Sequence, residues 1–160
     1  MIHSNDPSAL IETVFKDIQS QRMAGMSMLN PELRVQAVGF GRREAPHAEW
    51  LGVLVTPWSM GLMLLPADAN WPVTASHERA FRAYPAGNFA FLPNQEAGLG
   101  DYLVCSLFHD MSQFGDHATA VMTAQASLLA LQMAPAQPVP NVDATAPNQP
   151  SRRKFLSMGS

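Results

Sequence analysis

An α+β domain built on an antiparallel sheet is the fold class this sequence predicts, and three observations carry that expectation. Apolar residues recur at helical spacing near both ends of the first 133 residues. The stretch between them breaks into short apolar runs separated by Pro- and Gly-containing turns. The links between those runs are short, which favours antiparallel neighbours over parallel crossovers. The expected architecture is a sheet of about five strands with the N- and C-terminal helices packed on one face.

Each element has its own signal. Asp6-Pro7 reads as a helix start, a capping carboxylate followed by proline at the first helical position. Leu10, Ile11, Val14, Phe15 and Ile18 then fall on one helical stripe that ends near Met23 to Gly25. Asn30-Pro31 marks a turn, Arg34 to Phe40 can run as a strand, and Gly41 to His47 is polar. Trp50 to Thr56 is almost wholly apolar, the pattern of a strand buried on both faces. Pro57 ends it, and Met60 to Leu65 returns as a third strand around the turn Thr56-Pro57-Trp58-Ser59. Pro66 to Pro72 is a loop, and Ser76 to Arg82 is expected as a short helix capped by Ser76. Gly87 to Leu92 and Tyr102 to Phe108 are the last two strands, joined by a Gly-rich turn over Gln95 to Gly100. Asp116 to Met133 is a second helix.

The sequence divides at position 133. Residues 1–133 form the expected globular domain; 134–160 read as a flexible Pro-rich linker with a basic end, Ser151-Arg152-Arg153-Lys154-Phe155-Leu156. The first part carries seven Lys/Arg against twelve Asp/Glu, a net −5; the second carries three against one, a net +2. An acidic body argues against nucleic acid as a partner and leaves room for a basic peptide. No apolar stretch is long enough to span a bilayer, and the N-terminus does not read as a secretory signal. The single cysteine, Cys105, cannot form an internal disulfide or a thiolate cage, so nothing calls for an oxidising compartment and the cytoplasm is the expected location.

No catalytic constellation is legible. Cys105 and His109 are too poorly placed to share a strand face as nucleophile and base. His109, His117, Asp110 and Asp116 match no metal-ligand spacing, and Gly98-Leu99-Gly100 precedes a strand rather than the helix a phosphate loop needs. No cofactor is expected. Trp58 and Trp71 stand out instead, each beside a proline in a loop, where a large aromatic can anchor an interface. Arg152-Arg153-Lys154-Phe155-Leu156 has the pattern of a twin-arginine export signal at the wrong end of the chain.

Thr56-Pro57-Trp58, Leu65-Pro66, Trp71-Pro72, Tyr84-Pro85-Ala86-Gly87 and Tyr102-Leu103-Val104-Cys105-Ser106-Leu107 together resemble the HybE-type hydrogenase assembly chaperones, also called HupJ or HoxT. The resemblance runs from the first helix to about Leu131 and implies a protein without catalytic activity. It implies a nickel–iron hydrogenase small or large subunit precursor as partner, held until cofactor insertion is complete. A twin-arginine signal peptide is among the partners it suggests. Thr56, Pro57, Trp58, Trp71, Pro72 and Tyr102 are then the expected partner-binding residues. The tail, through Arg152, Arg153, Phe155 and Leu156, is expected to compete for the same surface. The alternative from another class is a small-ligand-binding protein or a Cys105-dependent enzyme.

Overall fold

The computed structural model describes residues 1–134. The linker and tail, with Arg152, Arg153, Phe155 and Leu156, lie outside the described residues from position 135 onward. Two helices and six strands follow one another as α1 (Ser8–Arg22), β1 (Gln36–Arg43), β2 (Glu49–Val55), β3 (Met60–Pro66), β4 (Ala80–Tyr84), β5 (Gly87–Glu96), β6 (Gly100–Phe108) and α2 (His117–Leu131). The strands pair antiparallel throughout, in the order β1-β2-β3-β6-β5-β4. The α+β class and the antiparallel sheet are therefore as the sequence predicts.

The helices do not share a face. Leu51, Val53 and Val55 of β2 join Met60, Leu62 and Leu64 of β3 in a cluster with Ala120, Ala124 and Leu131 of α2. The intervening Trp50, Leu54, Met63 and Leu65 point the other way, into a cluster with Ile11, Val14 and Phe15 of α1. Successive strand side chains alternate between faces, so α1 and α2 cover opposite sides of the central strands. The unbroken apolar runs of β2 and β3 require this, because a strand buried at every position needs cover above and below.

The sixth strand replaces the short helix expected over Ser76 to Arg82. Arg82 and Tyr84 turn inward while Phe81 and Ala83 stay exposed, the period of two that defines β4. Strand β5 serves two neighbours: Gly87 to Phe91 pair with β4, and Leu92 to Glu96 pair with β6. The sheet curls at this shared strand. Its β4–β5 end folds toward the α2 side, where Tyr84 and Phe91 enter the same cluster as Leu131. Helix α2 begins where expected, with Asp116 accepting a 2.7 Å hydrogen bond from the Thr119 amide. Helix α1 starts at Ser8, whose amide donates to Asp6 at 2.9 Å.

Candidate functional site

The turn between β2 and β3 is organised by Thr56. Its buried hydroxyl accepts from the amides of Ser59 (2.9 Å) and Trp58 (3.3 Å), while the Thr56 amide donates to the Ser59 carbonyl at 2.9 Å. The Pro57 carbonyl accepts from the Asn30 amide, and the Asn30 carboxamide donates to the carbonyls of Met111 and Phe114. Three loops are thus tied at one end of the sheet. Thr56 and Pro57 are buried and act by shaping the turn. Trp58 is half-buried and packs against the α1-side cluster.

Beside this turn lies an apolar pocket of about 210 Å³, bounded by Phe15 of α1, Ser59, Met60 and Met63 of the hairpin, and Tyr102 and Val104 of β6. Tyr102 is buried, its ring edge-on to Phe15 with centroids 6.1 Å apart. Gly61 contributes a bare backbone to the pocket; a Cβ there would stand 3.1 Å from Val104 Cγ2, tight enough to displace the wall.

The pocket opens onto a part of the sheet that α1 does not cover. Met63 pairs with Val104, and Val104 with Leu92, so their side chains share one face. Two residues along β5 from Leu92, Ala90 is on that face, opposite Phe81 of β4. Leu92 is 52% exposed and Phe81 66%. One side of β6, β5 and β4 therefore presents apolar side chains to solvent, continuous with the pocket beside α1. Contiguous exposed apolar side chains of this kind are a feature of interaction surfaces.

Trp71 belongs elsewhere. It is buried in the α2-side cluster, and its indole N–H donates to Glu49 Oε1 at 2.7 Å. The same carboxylate receives Arg82, with Nη2 at 3.0 Å from Oε1 and Nε at 3.0 Å from Oε2. Both charged side chains are almost fully enclosed. This Glu49–Arg82–Trp71 group clamps the curled end of the sheet to the start of β2. Pro72, next in the chain, is exposed. Of the six expected partner-binding residues, the structure brings Trp58 and Tyr102 to the pocket side and places Trp71 across the sheet from them. The exposure of Leu92 and Phe81 follows from the curl of the sheet, and no local sequence pattern encodes it.

Cys105 is half-buried, and burial pushes its thiol pKa up, which disfavours the nucleophilic thiolate. His109 Nδ1 lies 3.3 Å from the Ser106 hydroxyl, and among the described residues no hydrogen bond links it to Cys105. No group of three or more potential metal ligands forms among the described residues. His117 is buried at the start of α2, where Nδ1 accepts from the Arg34 amide at 3.2 Å and Nε2 lies 2.8 Å from Gln36 Oε1. It fixes the approach to β1 against α2.

Burial lowers the pKa of His117, helped by Arg34, and burial likewise lowers that of His3, whose Nε2 lies 3.1 Å from the Leu99 carbonyl. The unfolded chain binds more protons than the folded one between the ordinary value of 6.5 and the depressed folded values. Stability should thus rise with pH across that window and fall as pH drops below about 6.5. Urea midpoints measured from pH 8 to pH 5 check this. His117→Gln should reduce the slope; an unchanged slope in both His117→Gln and His3→Gln would assign the acid sensitivity to other groups.

Comparison with known proteins adds an independent line. A family model described as "[NiFe]-hydrogenase assembly, chaperone, HybE" matches residues 6–158. The chain is 34% identical over 125 residues to the "Probable rubredoxin HupJ" of Rhodobacter capsulatus, covering 78% of this chain and 44% of that one, so it spans under half of that relative's length. It is 32% identical over 152 residues to the hydrogenase expression/formation protein HupJ of Bradyrhizobium diazoefficiens, covering 92% and 85%. Its fold is similar to the solution structure of HybE from Escherichia coli, with a TM-score of 0.67, 22% identity, and coverage of 99% and 94%.

Proposed function

The chain belongs to the HybE family of hydrogenase assembly chaperones, and on that premise we propose that it holds a nickel–iron hydrogenase precursor subunit on the uncovered β6–β5–β4 face and the pocket beside α1. The observation that carries this reading is the continuity of that pocket with Leu92, Ala90 and Phe81, an apolar surface with no cover from either helix. An apolar client segment placed there removes the exposed area from water, at about 25 cal/mol per Å² before the costs of association. The client in this reading is the small subunit, taken through its twin-arginine signal. The aromatic and aliphatic residues of such a signal suit the pocket, and its arginines suit a body of net −5 over residues 1–133. The chaperone acts in the cytoplasm and performs no chemistry on the client. No helix among the described residues is long and apolar enough to cross a membrane.

Co-purification tests the reading. A tagged full-length chain, expressed with its hydrogenase operon, should retain a precursor subunit identifiable by mass spectrometry, and deleting the signal from the small subunit should abolish retention. Retention of a signal-less precursor at equal yield would remove the signal from the account and leave the mature part as the recognised element. Retention of no hydrogenase subunit would contradict the proposal as a whole.

A further inference from the structure

Helix α2 presents a second apolar surface, on the opposite side of the sheet from the proposed client site. No Asp, Glu, Lys or Arg occurs from His117 to Met133. A helix lying on a protein surface ordinarily carries charges on its outer face. Here the outer face is Ala118, Met122, Gln125, Ala126 and Leu129, continued by Met133 in the turn just past the helix end, all exposed, with Met122 at 67%, Leu129 at 66% and Met133 at 57%. Their spacings of three and four residues put them in one line.

We infer that this line is the contact between two copies of the chain, paired through antiparallel α2 helices about a two-fold axis between Gln125 and Ala126. A two-fold contact must be complementary to itself, and the order of residues satisfies this. With Gln125 set against Ala126 of the second copy, Met122 meets Leu129 and Ala118 meets Met133. Each large side chain thus finds an apolar partner, and the small Ala118 makes room for the long Met133. Gln125 is the one long polar side chain in the line; it lies at the axis, where it can reach its own copy.

The charges flanking the helix agree with the same pairing. At the N-terminal end, Asp116 is exposed and held ionised by its hydrogen bonds to Thr119. At the other end a hollow of about 230 Å³ beside Leu128 and Gln132 is lined by Arg43, whose guanidinium lies over the Tyr84 ring, and by Arg42, which is paired with Glu44. Antiparallel pairing carries each Asp116 to the Arg43 end of the other copy and sets the two helix dipoles head to tail. Parallel pairing would put acid against acid.

The size of the contact sets its strength. A stripe of 16 residues is about 24 Å long and one helix, about 10 Å, wide. It is widened by the apolar groove between α2 and the sheet, lined by Ala86, Phe89, Leu107, Ala130 and Leu131. This falls short of the roughly 800 Å² per partner of a standard stable interface. The dimer is accordingly a weak one, dissociating in the micromolar range rather than the nanomolar.

Sedimentation velocity of the full chain over about 1–300 μM tests the inference, with the sedimentation coefficient expected to rise from the monomer to the dimer value. Met122→Glu and Leu129→Glu, on exposed positions, should each hold the chain monomeric with an unchanged melting temperature. Asp116→Asn, which keeps the helix cap, should weaken association two- to fivefold at low salt and remove most of its salt dependence. Orientation is read in a Cys105→Ala background. Gln125→Cys should oxidise to a dimer, and Ala118→Cys should not cross-link to itself, its two copies lying about 22 Å apart along the axis. Ala118→Cys mixed with Met133→Cys should cross-link. A monomer at every concentration overturns the inference, as does self-cross-linking of Ala118→Cys. Association that appears only after removal of residues 135–160 also overturns it, by making that segment the occupant of the stripe.

Discussion

Replacing Arg82 with alanine should destabilise the fold by about 3–5 kcal/mol, because it leaves Glu49 as an uncompensated charge in the interior. In this structure Arg82 supplies two of the groups that solvate that carboxylate, and the Trp71 indole supplies a third. A loss of this size is a large share of the 5–15 kcal/mol typical of a whole domain. It should appear as a drop in melting temperature of about 10 °C or more. The local consequence is as specific: β4 should loosen from the start of β2, since its remaining anchors are β5 and the packing of Tyr84 and Ala80 against the α2-side cluster. Hydrogen exchange at β4 should therefore accelerate more than at β3. Replacing both charges with methionine should recover much of the stability, as apolar side chains of similar volume need no compensating partner. A melting temperature within 2–3 °C of the parent for Arg82→Ala would mean that water reaches Glu49 and the clamp is not a structural one.

The same group shows where sequence reasoning stops. Helix α2, the β2–β3 hairpin and the β5–β6 hairpin follow from local patterns: a capping Asp116, apolar runs broken at Pro57, a Gly-rich turn. Strand β4 does not. Arg82 and Phe81 stand in reversed positions for a half-buried strand, charge inward and aromatic outward. Only Glu49, 33 residues away, makes that reversal favourable. The placement of the helices is a different case, because the unbroken run Trp50 to Thr56 already demanded cover on both faces and so excluded helices on one. The Thr56-Pro57-Trp58 turn was legible as a feature. Its role in tying three loops depends on Asn30, whose partners Met111 and Phe114 lie more than 80 positions away. Trp71, beside a proline in a loop, has the local pattern of an exposed aromatic, yet the carboxylate that draws its N–H inward is on β2. Leu92 and Phe81 become a surface only once the sheet curls away from α1.

Client binding on that surface turns on Leu92, and Leu92→Glu decides it. Leu92 is half exposed on the uncovered face, adjacent to Val104 at the edge of the pocket, so a carboxylate there reaches solvent without disturbing the core. The measurement is the affinity of full-length chain for a hydrogenase small-subunit precursor, by calorimetric titration, alongside the melting temperature of each variant. Leu92→Glu is expected to weaken binding by tenfold or more, about 1.4 kcal/mol or above, with the melting temperature within about 2 °C of the parent. Trp58→Ala should also weaken binding, and it should cost some stability because the ring packs against the α1-side cluster. Unchanged affinity in the Leu92→Glu variant, with the protein folded and the precursor bound as tightly as before, would contradict the assignment and move the client to another face.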